Sequence, residues 1–228
     1  MKKFELTTEF ITNALGKKLF RIKALVEFGS VKAGELGGYA EKEENISQDG
    51  NAWVSDDAWV CGNARVSGNA WVSGNARVSG DARVSGDARV YGDAWVSGNA
   101  WVSGNARVYG DARVSDDAWV SGNARVSGDA WVYGDAWVSG NARVCGDARV
   151  YGDADYALVQ GFGTEFRCTT FYRGKNKKIM VNCGCFHGDL EGFRKQVKET
   201  RNGKIAKEYL MIADLMEYHF TSEDSSNE

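Results

Sequence analysis

The chain has 228 residues, with 28 Lys and Arg against 31 Asp and Glu, a formal net charge of −3. That length allows one or two domains, and the near balance excludes a generally basic nucleic-acid binder while leaving room for a local patch. No apolar run approaches the ~18 residues of a membrane span, the start MKKFELTTEF lacks the apolar stretch of a secretory signal, and five cysteines form no regular framework, so a cytoplasmic, reducing location is expected.

In chain order, residues 1–50 read as an N-terminal cap. FELTTEF and KKLFRIKALVEF suggest a β-hairpin, followed by a glycine-rich lead-in coil. From Asn51 to Gly152 the sequence is seventeen uninterrupted copies of (N/D)-A-(W/R)-V-x-(G/D). An even period keeps a strand's inside/outside phase from copy to copy. Val and Ala therefore share one side, and the Trp/Arg position and the residue after Val share the other. Gly, Asn and Asp supply the corners, where positive φ is tolerated. Three phrases per turn make a triangular coil of 18 residues, each strand pairing in parallel with the one ~4.8 Å below it. With no proline anywhere, no ladder donor is lost. The fold class is thus an all-β solenoid with a β-rich N-terminal cap and a small C-terminal α+β module, the solenoid taking residues 51–160 and the module 161–220.

At the solenoid's end, DADYAL puts Asp155 at the Trp/Arg position and Tyr156 at the valine position. TEFRCTTFYRG and KKIMVNCGCF then read as two strands around Gly174-Lys175-Asn176. Asp189 can cap a helix with Leu190, Phe193 and Val197 on its apolar side. A second helix is expected near Ile205–Phe220, with Tyr209, Ile212, Leu215 and Met216 on one side. The acidic tail 221–228, TSEDSSNE, reads as disordered.

The spacing Val-x-x-x-Ala-x resembles the hexapeptide repeat of left-handed parallel β-helix proteins, and that resemblance implies the left hand. AGELGGYAEKEENISQDGN, residues 33–51, is similar to the lead-in segment of YdcK-like proteins of this kind. VNCGCFHGDLEGF, residues 181–193, resembles a small module of prophage-encoded proteins of this type. The flanks imply a phage or prophage accessory protein that binds a host component, such as a defence nuclease or its nucleotide signal.

Where chemistry could sit is limited. Three Val and three Ala fill each narrow coil, each Val contributing at most ~1.5–3 kcal/mol on burial, largely offset by backbone ordering. The best-known enzymes that this repeat resembles are acyltransferases, which typically use a histidine base in a groove between subunits. Here the repeat contains no His, Glu or Lys, and His187 and His219 lie beyond it. The chain therefore reads as non-enzymatic, acyl transfer being the alternative, and no cofactor is expected. Cys183, Cys185 and His187 alternate and could face one side of a strand, with Cys168 as a fourth ligand. Cys₃His suits zinc, but Cys-x-Cys-x-His is not a common zinc spacing, and core packing is the favoured reading. Cys61 and Cys145 replace an outward Ser and read as neutral.

Counting in threes sorts the Trp/Arg positions into columns. One stacks Trp53, Trp71, Arg89, Arg107, Arg125 and Arg143. A second alternates Trp59, Arg77, Trp95, Arg113, Trp131 and Arg149. The third runs Arg65, Arg83, Trp101, Trp119 and Trp137. Adjacent guanidiniums ~5 Å apart repel by roughly 0.8 kcal/mol even in water. Four residues after an Arg stands Asp in eight cases of nine, and after a Trp in two of eight, so corner carboxylates are expected to offset the guanidiniums. Duplication of two cassettes explains the same pattern. Eight exposed Trp would exceed what a soluble monomer shows, and Trp, Tyr and Arg dominate interfaces. Tyr91, Tyr109, Tyr133 and Tyr151 enlarge two faces; the third carries only Ser beside its Trp and is the expected surface for self-association or a protein partner. The column Arg89, Arg107, Arg125, Arg143 suits an anion such as a nucleotide or a nucleic-acid backbone.

Overall fold

The computed structural model describes residues 2–164, 167–174 and 177–221. β1 (Phe4–Thr12) and β2 (Lys18–Ala24) form an antiparallel hairpin, and β2 pairs antiparallel with β3 (Leu36–Ala40). Seventeen two-residue strands follow, one every six residues, from β4 (Trp53–Val54) to β20 (Arg149–Val150). Each pairs in parallel with the strand 18 residues away, as in Trp101↔Trp119 and Val102↔Val120. Three sheets result. Face 1 holds β4, β7, β10, β13, β16 and β19. Face 2 runs from β5 to β20 and continues through β3 into the hairpin. Face 3 holds β6, β9, β12, β15 and β18. These are the three columns counted from the sequence.

The repeat explains the coil residue by residue. Every Ala and Val at the two inward positions from Ala52 to Val150 is fully buried. The outward amides complete the ladder: Trp101 N–H donates to Ala118 O at 2.9 Å and Asn105 N–H to Gly122 O at 2.8 Å. Corner glycines such as Gly104 sit at φ +64°, the left-handed region a Cβ disfavours. Asp56 and Asp116 hold the same conformation at 57° and 58°. Each recovers a bond: Asp56 Oδ2 accepts Gly74 N–H at 2.9 Å, and Asp116 Oδ2 accepts Gly134 N–H at 3.3 Å.

Both ends of the repeat shift from their expected places. β3 already pairs with β5 through Tyr39↔Trp59, and Ile46 bridges Val66, so the first coil starts before Asn51. At the other end a 3₁₀ turn at Asp153–Asp155 breaks the period. Asp155 Oδ2 accepts the N–H groups of Tyr151 (2.9 Å) and Gly152 (3.2 Å), which turns the chain. Tyr156 therefore does not take a valine place. It opens β21 (Tyr156–Phe162), which leaves the solenoid, so residues 156–160 belong to the C-terminal sheet.

That sheet has four antiparallel strands rather than two: β21, β22 (Arg167–Arg173), β23 (Ile179–Cys183) and β24 (Phe186–Asp189). Helix α1 (Leu190–Thr200) starts where Asp189 Oδ1 accepts Gly192 N–H at 2.9 Å, and it buries Leu190, Phe193 and Val197. Helix α2 (Gly203–Thr221) buries Tyr209, Ile212, Ala213, Met216 and Phe220. Leu215, expected on that side, is 58% exposed, because Ala213 and Phe220 complete the packed stripe. The expected turn residues Lys175 and Asn176, and residues 222–228 of the tail, lie outside the described residues.

Each end of the solenoid is covered. Phe4 and Phe28 pack edge-on against Trp53, at 6.4 and 5.4 Å between centroids. At the far end Thr170 Oγ1 accepts Arg143 N–H at 3.0 Å, Ala148 bridges Gly174, and the Tyr156 hydroxyl donates to Trp137 O. Among the described residues, no helix is long and apolar enough to cross a membrane.

Candidate functional site

The outward columns are the surface most unlike an ordinary protein's. On face 3, Trp101 and Trp119 stack at 4.9 Å with planes 5° apart, and Trp119 and Trp137 at 5.2 Å and 12°. A coil rise of ~4.8 Å exceeds ring thickness, so the rings are offset and lean back along the axis like tiles. The lean brings each indole N–H over the serine of the preceding coil. Trp101 Nε1 donates to Ser85 Oγ at 3.1 Å, Trp119 to Ser103 at 3.3 Å and Trp137 to Ser121 at 3.3 Å. Arg83 closes the row 5.9 Å from the Trp101 ring. The sequence reading missed this bond, and its signal was available: a serine 16 residues before each of these tryptophans.

Face 2 alternates cation and ring. Arg77 lies 5.8 Å from Trp59, Arg113 5.8 Å from Trp95 and 4.9 Å from Trp131, and Arg149 4.5 Å from Trp131. Trp95 repeats the serine bond, to Ser79 at 3.1 Å. Each guanidinium over an indole contributes about 0.5–1 kcal/mol at exposed sites. Tyr133 and Tyr151 meet edge-on at 5.2 Å at the end of this face.

On face 1, Arg89, Arg107, Arg125 and Arg143 stand exposed in one column, beside Tyr91 and Tyr109 stacked at 5.0 Å. The corner carboxylates expected to offset their charge make no direct contact with them. Among the described residues, no ion pair joins a solenoid guanidinium to a corner carboxylate. The corners instead bond to each other along the axis. Asn63 Nδ2 donates to Asp81 Oδ1, Asn69 to Asp87 and Asn75 to Asp93, each at 3.0 Å, and Asn99 donates to Asp117 at 2.9 Å. At these four pairs the Asn/Asp choice sets a donor and an acceptor between coils; Asn51–Asn69 and Asn123–Asn141 bond as two amides. The guanidiniums lie outside ion-pair range, on the strand faces.

Not all eight tryptophans are exposed. Trp53 is fully buried beneath the hairpin, where its Nε1 finds no acceptor, and Trp59 and Trp71 are half-buried. The cap covers the first coils, which counting phrases could not reveal. The five outward indoles are Trp95, Trp101, Trp119, Trp131 and Trp137, at 36–49% exposure.

The cysteine–histidine motif is pulled apart. Gly184 and Cys185 form the turn between β23 and β24, so Cys183, Cys185 and His187 do not share a strand. Cys183 accepts from Thr169 Oγ1 at 3.1 Å, Cys168 Sγ reaches Asn141 O at 3.5 Å, and His187 Nε2 meets Tyr172 Oη at 3.0 Å. Among the described residues, no group of three His, Cys, Asp or Glu could hold a metal ion. Cys145, expected to be neutral, sits in the joint between solenoid and module. Its sulfur accepts from Asn182 Nδ2 at 3.2 Å and lies 3.5 Å from Tyr172 Oη. Burial, then the bond to Cys145, holds the Tyr172 phenol well above its ordinary range. Cys61, the other replaced serine, is buried with Leu19 and Tyr39 under the hairpin, and burial raises its thiol pKa.

The YdcK beta solenoid repeat family matches the chain in overlapping copies across residues 58–140 and again over 142–154. The matches cover β5 to β20 and so take in the outward columns; the flanks 33–51 and 181–193 contain none of them. The chain is similar to YdcK-like solenoid proteins in its repeat and in its β-solenoid fold. No curated protein matches the chain.

Proposed function

We propose that the chain is a non-enzymatic binding scaffold of the cytoplasm, and that face 3 docks another protein surface. The observation that carries this reading is the tiled Trp101–Trp119–Trp137 ladder with its indole N–H groups bonded to serines. Burying an indole against a partner normally leaves its N–H to be satisfied. Here that donor is already used, and the rings are held by their neighbours. Docking thus costs little side-chain ordering and strands no donor, which is what favours a preorganised interface. The partner is a second copy of the chain or a host protein. The prophage-like flanks favour an accessory protein acting on a host component.

The test replaces Trp101, Trp119 and Trp137 together with Ser. The variant is expected to keep its circular dichroism spectrum while losing oligomeric mass in sedimentation, or capture of its partner. Survival of both would remove face 3 as the interface. Acyl transfer is the enzyme alternative. Acetyl-coenzyme A mixed with amine and hydroxyl acceptors is expected to give no acceptor-dependent release of free thiol, and such release would overturn the non-enzymatic reading.

A further inference from the structure

Trp71 is the exception among the tryptophans. Every other indole has an aromatic ring or a guanidinium against it. Trp71 has neither among the described residues, although Arg89 follows it in the column at the paired position. Its N–H also lacks the serine bond that Trp95, Trp101, Trp119 and Trp137 make. Beside Trp71 a pocket of about 430 Å³ opens, lined also by Asn69, Ser73, Arg89, Tyr91 and Arg107. Ser30, in the cap turn Phe28–Val31, closes the pocket on the N-terminal side.

The pocket combines two features found together nowhere else on the solenoid. One is an indole without a ring or cation partner. The other is a pair of guanidiniums on successive coils, ~4.8 Å apart by strand spacing, with no carboxylate in ion-pair range among the described residues. Asp93 and Asp111 stand at the neighbouring corner and are not part of the lining. A flat ring fits beside Trp71, and an anion fits across Arg89 and Arg107, where charge-assisted bonds are strong.

We propose that this pocket binds a free nucleoside phosphate, its base against Trp71 and its phosphates on Arg89 and Arg107. The proposal is independent of the protein interface on face 3. Ser73 supplies a hydroxyl for the base or the sugar, while the Asn69 amide is held by Asn51 and Asp87 and forms part of the wall. The cap turn bounds the pocket at the Trp71 end, which suits a small ligand better than a strand continuing in both directions.

Isothermal titration of the full chain with ADP tests this. Saturable binding is expected, with adenosine and inorganic phosphate each at least ~10-fold weaker, because each engages one half of the pocket. Arg89→Gln and Arg107→Gln should each weaken ADP by ~10-fold or more, and Trp71→Ser likewise. Arg143→Gln, on the same column outside the pocket, should leave ADP affinity unchanged. Should Trp71→Ser disturb folding by circular dichroism, the two Arg variants, whose side chains are exposed, carry the test. Absence of ADP binding, or equal losses for Arg143→Gln and Arg89→Gln, would overturn the proposal. So would an oligothymidylate that displaces ADP and is itself weakened by Arg143→Gln, since the Arg column would then be a strand groove.

Discussion

At the residue scale, a buried cation in the cap has a measurable consequence. Lys3 is 3% exposed, its Nζ donating to Ala52 O at 3.0 Å and Gly50 O at 3.3 Å beside the Phe28 ring. Burial lowers its pKa from 10.5 to about 8, with the Asp49 carboxylate acting against that shift. Below pH 8 both folded and unfolded states hold the proton, and the folded state carries the full cost of a buried ammonium. Between about 8 and 10.5 the unfolded chain binds more protons than the native one, so this group makes stability rise with pH. Melting temperatures of the wild type and Lys3→Met, measured from pH 7 to 10, should show that rise as a difference between the two. The difference isolates Lys3 from Tyr172 and Cys61, whose raised pKa values pull the other way at high pH. A pH-independent difference would mean that the Lys3 ammonium is solvated and keeps its ordinary pKa.

At the element scale, the six-residue phrase is a complete prescription for one strand and one corner. Its parts fail in distinguishable ways. A Cβ on Gly104 would come within 3.0 Å of both Gly122 N and Gly122 O, in a residue already at φ +64°. Gly140 has the same φ, but a Cβ there meets nothing within 4 Å, since no further corner stacks on it. Gly140→Ala should therefore cost only the left-handed backbone penalty, about 1–2 kcal/mol. Gly104→Ala should cost a further ~1–3 kcal/mol for the crowding between coils. Urea denaturation of the two variants checks this, and equal losses would mean that coil spacing relaxes freely. The same regularity explains what was legible. Period, parity and corner residues are local properties, so the three sheets, the register of 18 and the buried Ala/Val interior could be read from the phrase. The Trp–Ser and Asn–Asp bonds leave a spacing in the sequence, but the phrase alone does not show that the side chains meet across it. Each joins residues 16 or 18 positions apart, and each depends on side-chain lean rather than on strand parity.

At the scale of the whole molecule, the limits of sequence reading lie where the repeat meets something else. Trp53 looks like any other phrase tryptophan, and only the hairpin folding back over it makes it core. Cys183, Cys185 and His187 alternate as a strand would, until the glycine between the two cysteines turns the chain. The Trp71 pocket depends on the cap turn and so was equally hidden. These caps also decide how the solenoid meets other copies. The C-terminal module covers the last coil through Thr170, Gly174 and Tyr156. Removing residues 153–228 would uncover the edges of β18, β19 and β20, three short strands with unpaired amides and carbonyls. At the other end the hairpin extends face 2, and Lys3, Phe4 and Phe28 cover the first coil, which disfavours head-to-tail growth. Two uncovered ends can meet only tail to tail, related by a two-fold axis across the solenoid, which pairs the strands antiparallel. The truncated chain should therefore form a concentration-dependent dimer about twice the length of the monomer. Sedimentation velocity and small-angle scattering would detect it. The Trp101, Trp119 and Trp137 substitutions should leave this dimer intact, because it uses backbone edges rather than face 3. A truncated chain that stays monomeric at all concentrations would show that the module is dispensable as a cap.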